Sequence, residues 1–263
     1  MYLSKLTGTY YRDRRAGTFQ EFCVVPQHTV LPIPTNLSTE SAACLGVAAL
    51  TAAMTLWKWL KIPMPSSTTT KPASDSPQQP QHILIWGGST VTGQFAVQLA
   101  AQSSLSVIAI TSAKTKPLVE KLGAHHVIPR DGKTNDDIVA EVRAITGDDL
   151  VLAVDIVGHA SGTSCLRALS STKDSALAPL AFLKNGQDVP ANVEIAPVAM
   201  KRFIIERGNE VYAEQLNRLI TAGQLVMPEI AVLEGGLEAV EGGLELLKKG
   251  DMNGRKLVVR ISE

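Results

Sequence analysis

The chain has 263 residues, with 25 Lys+Arg against 25 Asp+Glu, 45% hydrophobic residues and only 5% aromatic ones. That length accommodates one or two domains around a sizeable core, and a net charge of zero lacks the basic footprint of a nucleic-acid binder. Cys23, Cys44 and Cys165 are too few and too scattered for a disulfide framework, and no C-x-x-C offers a structural zinc site.

The opening stretch, MYLSKLTGTYYRDRRAG, carries no apolar segment of the kind a secretory leader needs. Residues 18–34 mix β-branched and aromatic residues with prolines, which predicts short strands or sheet edges. From Ser38 the pattern changes: Ser38 can cap, Glu40 suits a first turn, and the Ala-rich run to Leu60 predicts a helix. Its apolar part, residues 42–60, is interrupted by Lys58 and rich in Ala, so it reads as a buried helix and not a membrane span. A soluble, cytoplasmic protein is expected, with neither membrane nor nucleic acid as partner. Residues 66–80, SSTTTKPASDSPQQP, hold nothing larger than Ala that could enter a core, together with three prolines, and predict a flexible surface insertion.

Beyond the insertion, strands and helices alternate. Strands are predicted at 82–86, 105–110, 125–128 and 150–155, and helices at 92–103, 114–122, 134–146 and 161–169. This alternation implies parallel pairing with helices on both faces, an α/β, doubly wound Rossmann sheet. Strands near 176–181 and 193–198, helices at 210–222 and 236–249 and a closing strand at 256–261 complete the reading.

The turn between the strand at 82–86 and its helix reads WGGSTVTG, placing Gly87, Gly88 and Gly93 where a βα turn aims backbone N–H groups at a pyrophosphate. Thr90 replaces the middle glycine of the dinucleotide fingerprint, while Ser89, Thr90 and Thr92 add hydroxyl donors. A glycine-rich turn that binds nothing is the plainer alternative. After the next strand comes Ser112-Ala113-Lys114-Thr115-Lys116, and no acid occurs between Gly93 and Glu120. An NAD site places Asp or Glu here for the ribose 2′-hydroxyl, whereas a 2′-phosphate calls for cations and hydroxyls, so Ser112 and Lys114 favour NADP(H). Lys116 reads as a solvated charge. His125 and His126 are expected on opposite faces of a strand, Cys23 and His28 lack a third ligand, and no metal site is expected. Asp155, ending its strand, suits the capping of the following helix as well as any polarising role.

These residues resemble the zinc-independent branch of the medium-chain dehydrogenase/reductases. The likeness is to quinone oxidoreductase-like proteins, and above all to the trans-acting enoyl reductases of fungal polyketide pathways. The matching pieces are AGTFQEFCVVP (16–26), IPTNLSTESAACLGVAALTAA (33–53), ILIWGGSTVTG, the block 111–128, AVDIVG (153–158) and GDMNGRKLVVRI (250–261). The resemblance implies that Gly88, Ser89, Thr90, Val91 and Thr92 form the pyrophosphate turn. It likewise implies that Ser112, Ala113, Lys114 and Thr115 form the 2′-phosphate loop. Asn253 and Gly254 match a cofactor-side turn, and Thr51 a threonine beside the nicotinamide. Arg130 stands where the family has an adenosine-contacting Tyr.

The resemblance further implies three regions: 1–37, a remnant of a GroES-like catalytic β domain; 38–225, an NADP-binding Rossmann domain; and 226–263, a C-terminal helix and strand returning to the catalytic domain. Family members carry the first half of that β domain ahead of the GTFQEF motif, and this chain begins just before the motif. Unpaired strand edges near 18–25 and 257–261 are therefore expected, and with them a homodimer or a polyketide synthase as partner. The function implied is NADPH-dependent reduction of a C=C bond in a small or carrier-bound polyketide. The alternative is a non-redox descendant, an isomerase, cyclase or cofactor-binding partner protein.

Overall fold

A computed structural model of the chain describes residues 2–4, 15, 17–65, 81–250 and 252–261, and the predicted insertion at 66–80 lies outside them. The chain divides into two compact units, one of Met1–Met54, Thr90–Phe95 and Ala199–Glu263, the other of Thr55–Ser89 and Ala96–Val198.

The second unit holds a six-stranded parallel sheet. Its strands are β3 (His82–Trp86), β4 (Ser106–Thr111), β5 (His126–Pro129), β6 (Leu150–Asp155), β7 (Ser175–Pro179) and β8 (Val193–Ile195), in spatial order β5-β4-β3-β6-β7-β8. The chain starts in the middle, winds outward to β5, then returns to the other side of β3. The order therefore reverses between β3 and β6, the point at which such sheets take ligands. The central strands are buried on both faces, which is why they read as unbroken apolar runs. Leu84, Trp86, Ile108 and Ile110 share one core with Ile138 and Val142 of α5 (Asn135–Thr146) and Cys165 and Leu166 of α6 (His159–Ala168). Thr134 and Asp137 close a capping box on α5, the arrangement in which both first-turn donors find partners.

At the N-terminal edge of the sheet, Asp148 ties β6 to the chain entering β7. Its carboxylate accepts from Ser171 N at 2.8 Å, Thr172 Oγ1 at 2.7 Å and Ser170 Oγ at 2.9 Å. The Ser171 backbone bond, seconded by the Thr172 and Ser170 hydroxyls, holds this carboxyl well below the usual range. A depressed folded-state pKa adds stability above the unfolded value, near 4, that vanishes as pH falls through the folded one. Asp148→Asn is therefore expected to lower the thermal midpoint at pH 7 by a few degrees. The gap to the parent should narrow as the pH is taken below about 4, and a constant gap from about pH 7 to pH 2 would contradict this.

In the first unit, β1 (Tyr2–Ser4) pairs antiparallel with β2 (Val30–Pro32). Of the region predicted as strands at 18–34, only β2 is a strand. Residues 17–26 form no strand, and Phe19 and Phe22 are 69% and 87% exposed. Prolines at 26, 32 and 34 leave too few donors for a longer ladder. Ser38 caps as predicted, accepting from Ser41 N at 3.2 Å. The helix then runs Thr39–Trp59, through α1 (Thr39–Ala42) and α2 (Leu50–Met54), with π-helical turns at Leu45–Ala49 and Thr55–Trp59. Length and composition alone would let it cross a membrane, but 72% of its most apolar window is buried inside the protein. α2 packs on α8 (Glu210–Thr221). Asn36 Nδ2 donates to Ile220 O and Asn217 Nδ2 to Pro32 O, each at 2.9 Å.

The closing strand corrects an expectation. β10 (Lys256–Val259) lies parallel to β9 (Ile230–Leu233), with Lys256 opposite Ile230, so residues 257–259 already have a partner along one edge. Between them α9 (Ala239–Lys249) packs through Gly243, where a Cβ would stand 3.2 Å from Leu233 and Leu257.

Candidate cofactor site

In the sheet-bearing unit, the chain leaves β3 at Gly87, whose φ of 99° only glycine adopts without strain. The N–H groups of Gly87 and Gly88 donate to Ile110 O at 3.0 and 2.9 Å, laying the turn against the end of β4. Gly88 is required for a different reason. A Cβ there would stand 2.9 Å from Ala109 Cβ and 3.3 Å from Val119 Cγ1. The turn thus lies tight on β4 and on α4 (Lys116–Lys121).

The loop after β4 is held by hydroxyls. Thr115 Oγ1 stands 2.6 Å from Thr111 Oγ1 and 2.8 Å from Ser112 Oγ. Thr115 is buried, so of the four predicted loop residues it braces the loop, whereas Ser112 is half-buried and Ala113 and Lys114 are exposed. The predicted absence of an acid does not hold in space. Asp131 Oδ2 accepts from Ala113 N at 2.5 Å, coming from the turn after the neighbouring strand β5. Arg130, also exposed, donates its backbone N–H to Thr111 O at 2.8 Å. Lys116 pairs with Glu120 at 3.5 Å on the helix surface, in keeping with a solvated charge.

Asp155, at the end of β6, is fully buried. Its Oδ1 accepts from Val157 N at 3.2 Å, while Oδ2 has no hydrogen-bond partner among the described residues, and burial pushes its carboxyl above the usual range. The N-cap of α6 is Gly158 and not Asp155, and Gly158 N donates to Ser161 Oγ in the first turn at 3.0 Å. Burial also pushes the Cys165 thiol up, which removes it as a nucleophile. His125, predicted within a strand at 125–128, lies just ahead of β5 and turns its ring onto the sheet, Nδ1 accepting from Val107 N at 3.2 Å.

The other unit carries the start of α3 (Val91–Gln102). Thr90 Oγ1 accepts from Gly93 N at 3.0 Å, so this hydroxyl caps the helix. The N–H groups of Val91 and Thr92 have no acceptor among the described residues, as the first turn of a helix dictates. Asn253 and Gly254 both take positive φ, 51° and 81°, and Arg255 N donates to Met252 O at 2.9 Å. This is the hairpin-type turn for which Asn-Gly is suited. Gln94 Nε2 donates to Gly254 O at 2.6 Å. That bond, across 160 positions of sequence, brings the predicted C-terminal turn to the first turn of α3. Thr51 is buried on α2. His28 has a structural partner, its Nε2 standing 2.7 Å from Ile204 O. Among the described residues, no three of His, Cys, Asp or Glu stand together as a metal site.

A protein-family model described as zinc-binding dehydrogenase matches residues 92–211. The trans-enoyl reductase tndF of Aspergillus flavipes is 33% identical over 253 residues, which span 93% of this chain and 70% of that protein. The chain belongs to the medium-chain dehydrogenase/reductases, in the group of fungal trans-enoyl reductases. Another relative in this group is the enoyl reductase component of the lovastatin nonaketide synthase, lovC, from Aspergillus terreus, 28% identical over 93% of this chain and 70% of its own length. The quinone oxidoreductase of Pseudomonas syringae shares the fold, with a TM-score of 0.70 at 18% identity over 92% of this chain and 71% of that one. The medium-chain reductases use a nicotinamide cofactor. The residues described fit such a group, because the first turn of α3 offers the N–H groups of Val91 and Thr92, which have no acceptor among the described residues.

Proposed function

We propose that this medium-chain reductase is an NADPH-dependent enoyl reductase that reduces a C=C bond of a polyketide intermediate in a secondary-metabolite pathway. The observation that carries the reading is the loop after β4. Ser112 and Lys114 stand half-buried and exposed at its head while Thr115 braces it from below. In this reading Lys114 and Ser112 hold the 2′-phosphate by charge-assisted hydrogen bonds, with Ala113 and Thr115 shaping the loop. Gly88, Ser89, Thr90, Val91 and Thr92 bind the pyrophosphate, Gly88 by letting the backbone come close and Val91 and Thr92 through their N–H groups. Asn253 and Gly254 support the first turn of α3 through Gln94. Arg130 stacks on or pairs with the adenosine, and Thr51 positions the nicotinamide. When bound, the cofactor supplies the hydride.

That relatives of this chain are trans-enoyl reductases supports an enoyl substrate. That lovC is a component of a nonaketide synthase supports a polyketide synthase as partner. The test is fluorescence titration with NADPH and NADH, followed by turnover of an enoyl thioester in the presence of each. Tighter binding of NADPH together with consumption of the enoyl thioester is expected. Binding without turnover of any enoyl thioester would assign the chain to the non-redox alternative.

A further inference from the structure

The loop after β4 already holds an anion of its own. β5 lies beside β4 with Thr111 opposite Pro129, and Arg130 N continues the ladder by donating to Thr111 O. The chain then turns at Gly132, φ 72°, with Lys133 N donating to Arg130 O at 3.1 Å. This turn delivers the Asp131 carboxylate to the N–H of Ala113. That N–H lies in the loop that the reading above assigns to the 2′-phosphate, flanked by Ser112 and Lys114.

One N–H cannot serve a carboxylate and a phosphate together, and two anions a few ångströms apart repel. A ribose 2′-hydroxyl, by contrast, is a donor that a carboxylate accepts. We infer that Asp131 is a specificity-determining residue that competes with the 2′-phosphate for the loop and offers the 2′-hydroxyl of NAD(H) an acceptor. The inference rests on the assignment of residues 112–115 to the adenosine ribose. It implies a modest preference for NADP(H), set by the balance between Lys114 and Asp131 rather than by the acid-free stretch in the sequence.

Asp131→Asn separates charge from structure, because an amide oxygen can still accept from Ala113 N. Dissociation constants for NADPH and NADH are measured by fluorescence titration on the parent, Asp131→Asn and Asp131→Ala, with a thermal melt of each. Removing one charge from a solvent-exposed anion pair is expected to tighten NADPH binding about tenfold in Asp131→Asn. NADH binding should stay the same or weaken, and the melting temperature should not move. An unchanged or weakened NADPH affinity in a folded Asp131→Asn protein overturns the inference, leaving Asp131 as a brace for the loop. Failure of all three proteins to bind either nucleotide overturns the reading on which it rests, a result distinct from an unmoved ratio.

Discussion

Gly88→Ala is expected to cost about 1–3 kcal/mol of stability and to weaken nicotinamide cofactor binding more than tenfold. The added methyl would stand 2.9 Å from Ala109 Cβ and 3.3 Å from Val119 Cγ1. Ala109 belongs to a strand paired on both sides, with β3 and with β5, and has no rotamer by which to yield. The turn itself must therefore lift away. Doing so stretches the bonds from Gly87 N and Gly88 N to Ile110 O and carries the following N–H groups with it. In the proposed reading, a displacement of that order is enough to lose the alignment of these groups on the pyrophosphate. The thermal midpoint should fall by roughly 3–10 °C, from the usual conversion for a chain of this size. Gly242→Ala is the control. It lies exposed in α9, where a Cβ meets nothing within 4 Å, and should be neutral or stabilising. Equal behaviour of the two variants would show that the turn has slack the geometry does not reveal.

The same packing explains what was legible in the sequence. β3 and β6 are readable to the residue because strands buried on both faces are continuous apolar runs, bounded here by Gly87 on one side and Ile156-Val157-Gly158 on the other. The start of α5 is readable from Thr134 and Asp137, a local signal three residues apart. β9 was missed because it is four residues long and its partner, β10, follows only after α9. α7 (Lys201–Ile205) was missed because five residues are too few to show a helical period.

The candidate site divides along the same line. The glycines and the Ser112–Thr115 loop are contiguous, and their chemistry shows in the residue types. Asp131 does not show, because a search for an acid along the chain ends at the helix after β4. In a doubly wound sheet the end of β5 lies next to the end of β4, so the acid arrives from 18 residues away. The strand order supplies the signal that a linear scan lacks. The Gln94–Gly254 bond has no counterpart in any local pattern.

Lys114→Ala should carry the other large effect. In the reading proposed here, the exposed ammonium of Lys114 meets the 2′-phosphate, and a charge-assisted bond of this kind is worth roughly 1.5–3 kcal/mol. NADPH should therefore bind about 10- to 100-fold more weakly to the variant, while NADH, with nothing at that position to lose, should change by less than about twofold. Lys114→Arg should retain most of the preference, since charge and donor are kept. Because the group is exposed, the parent's preference should also shrink as salt is raised from 0.05 to about 0.5 M, and the variant's residual preference should respond much less. Asp131 makes the prediction sharper. If the carboxylate and the ammonium act on the same phosphate, the double variant Lys114→Ala/Asp131→Asn should recover part of the NADPH affinity that the lysine variant loses. Equal losses for NADPH and NADH in Lys114→Ala would instead place this side chain in the architecture of the loop, and the salt dependence would then be the same for both nucleotides.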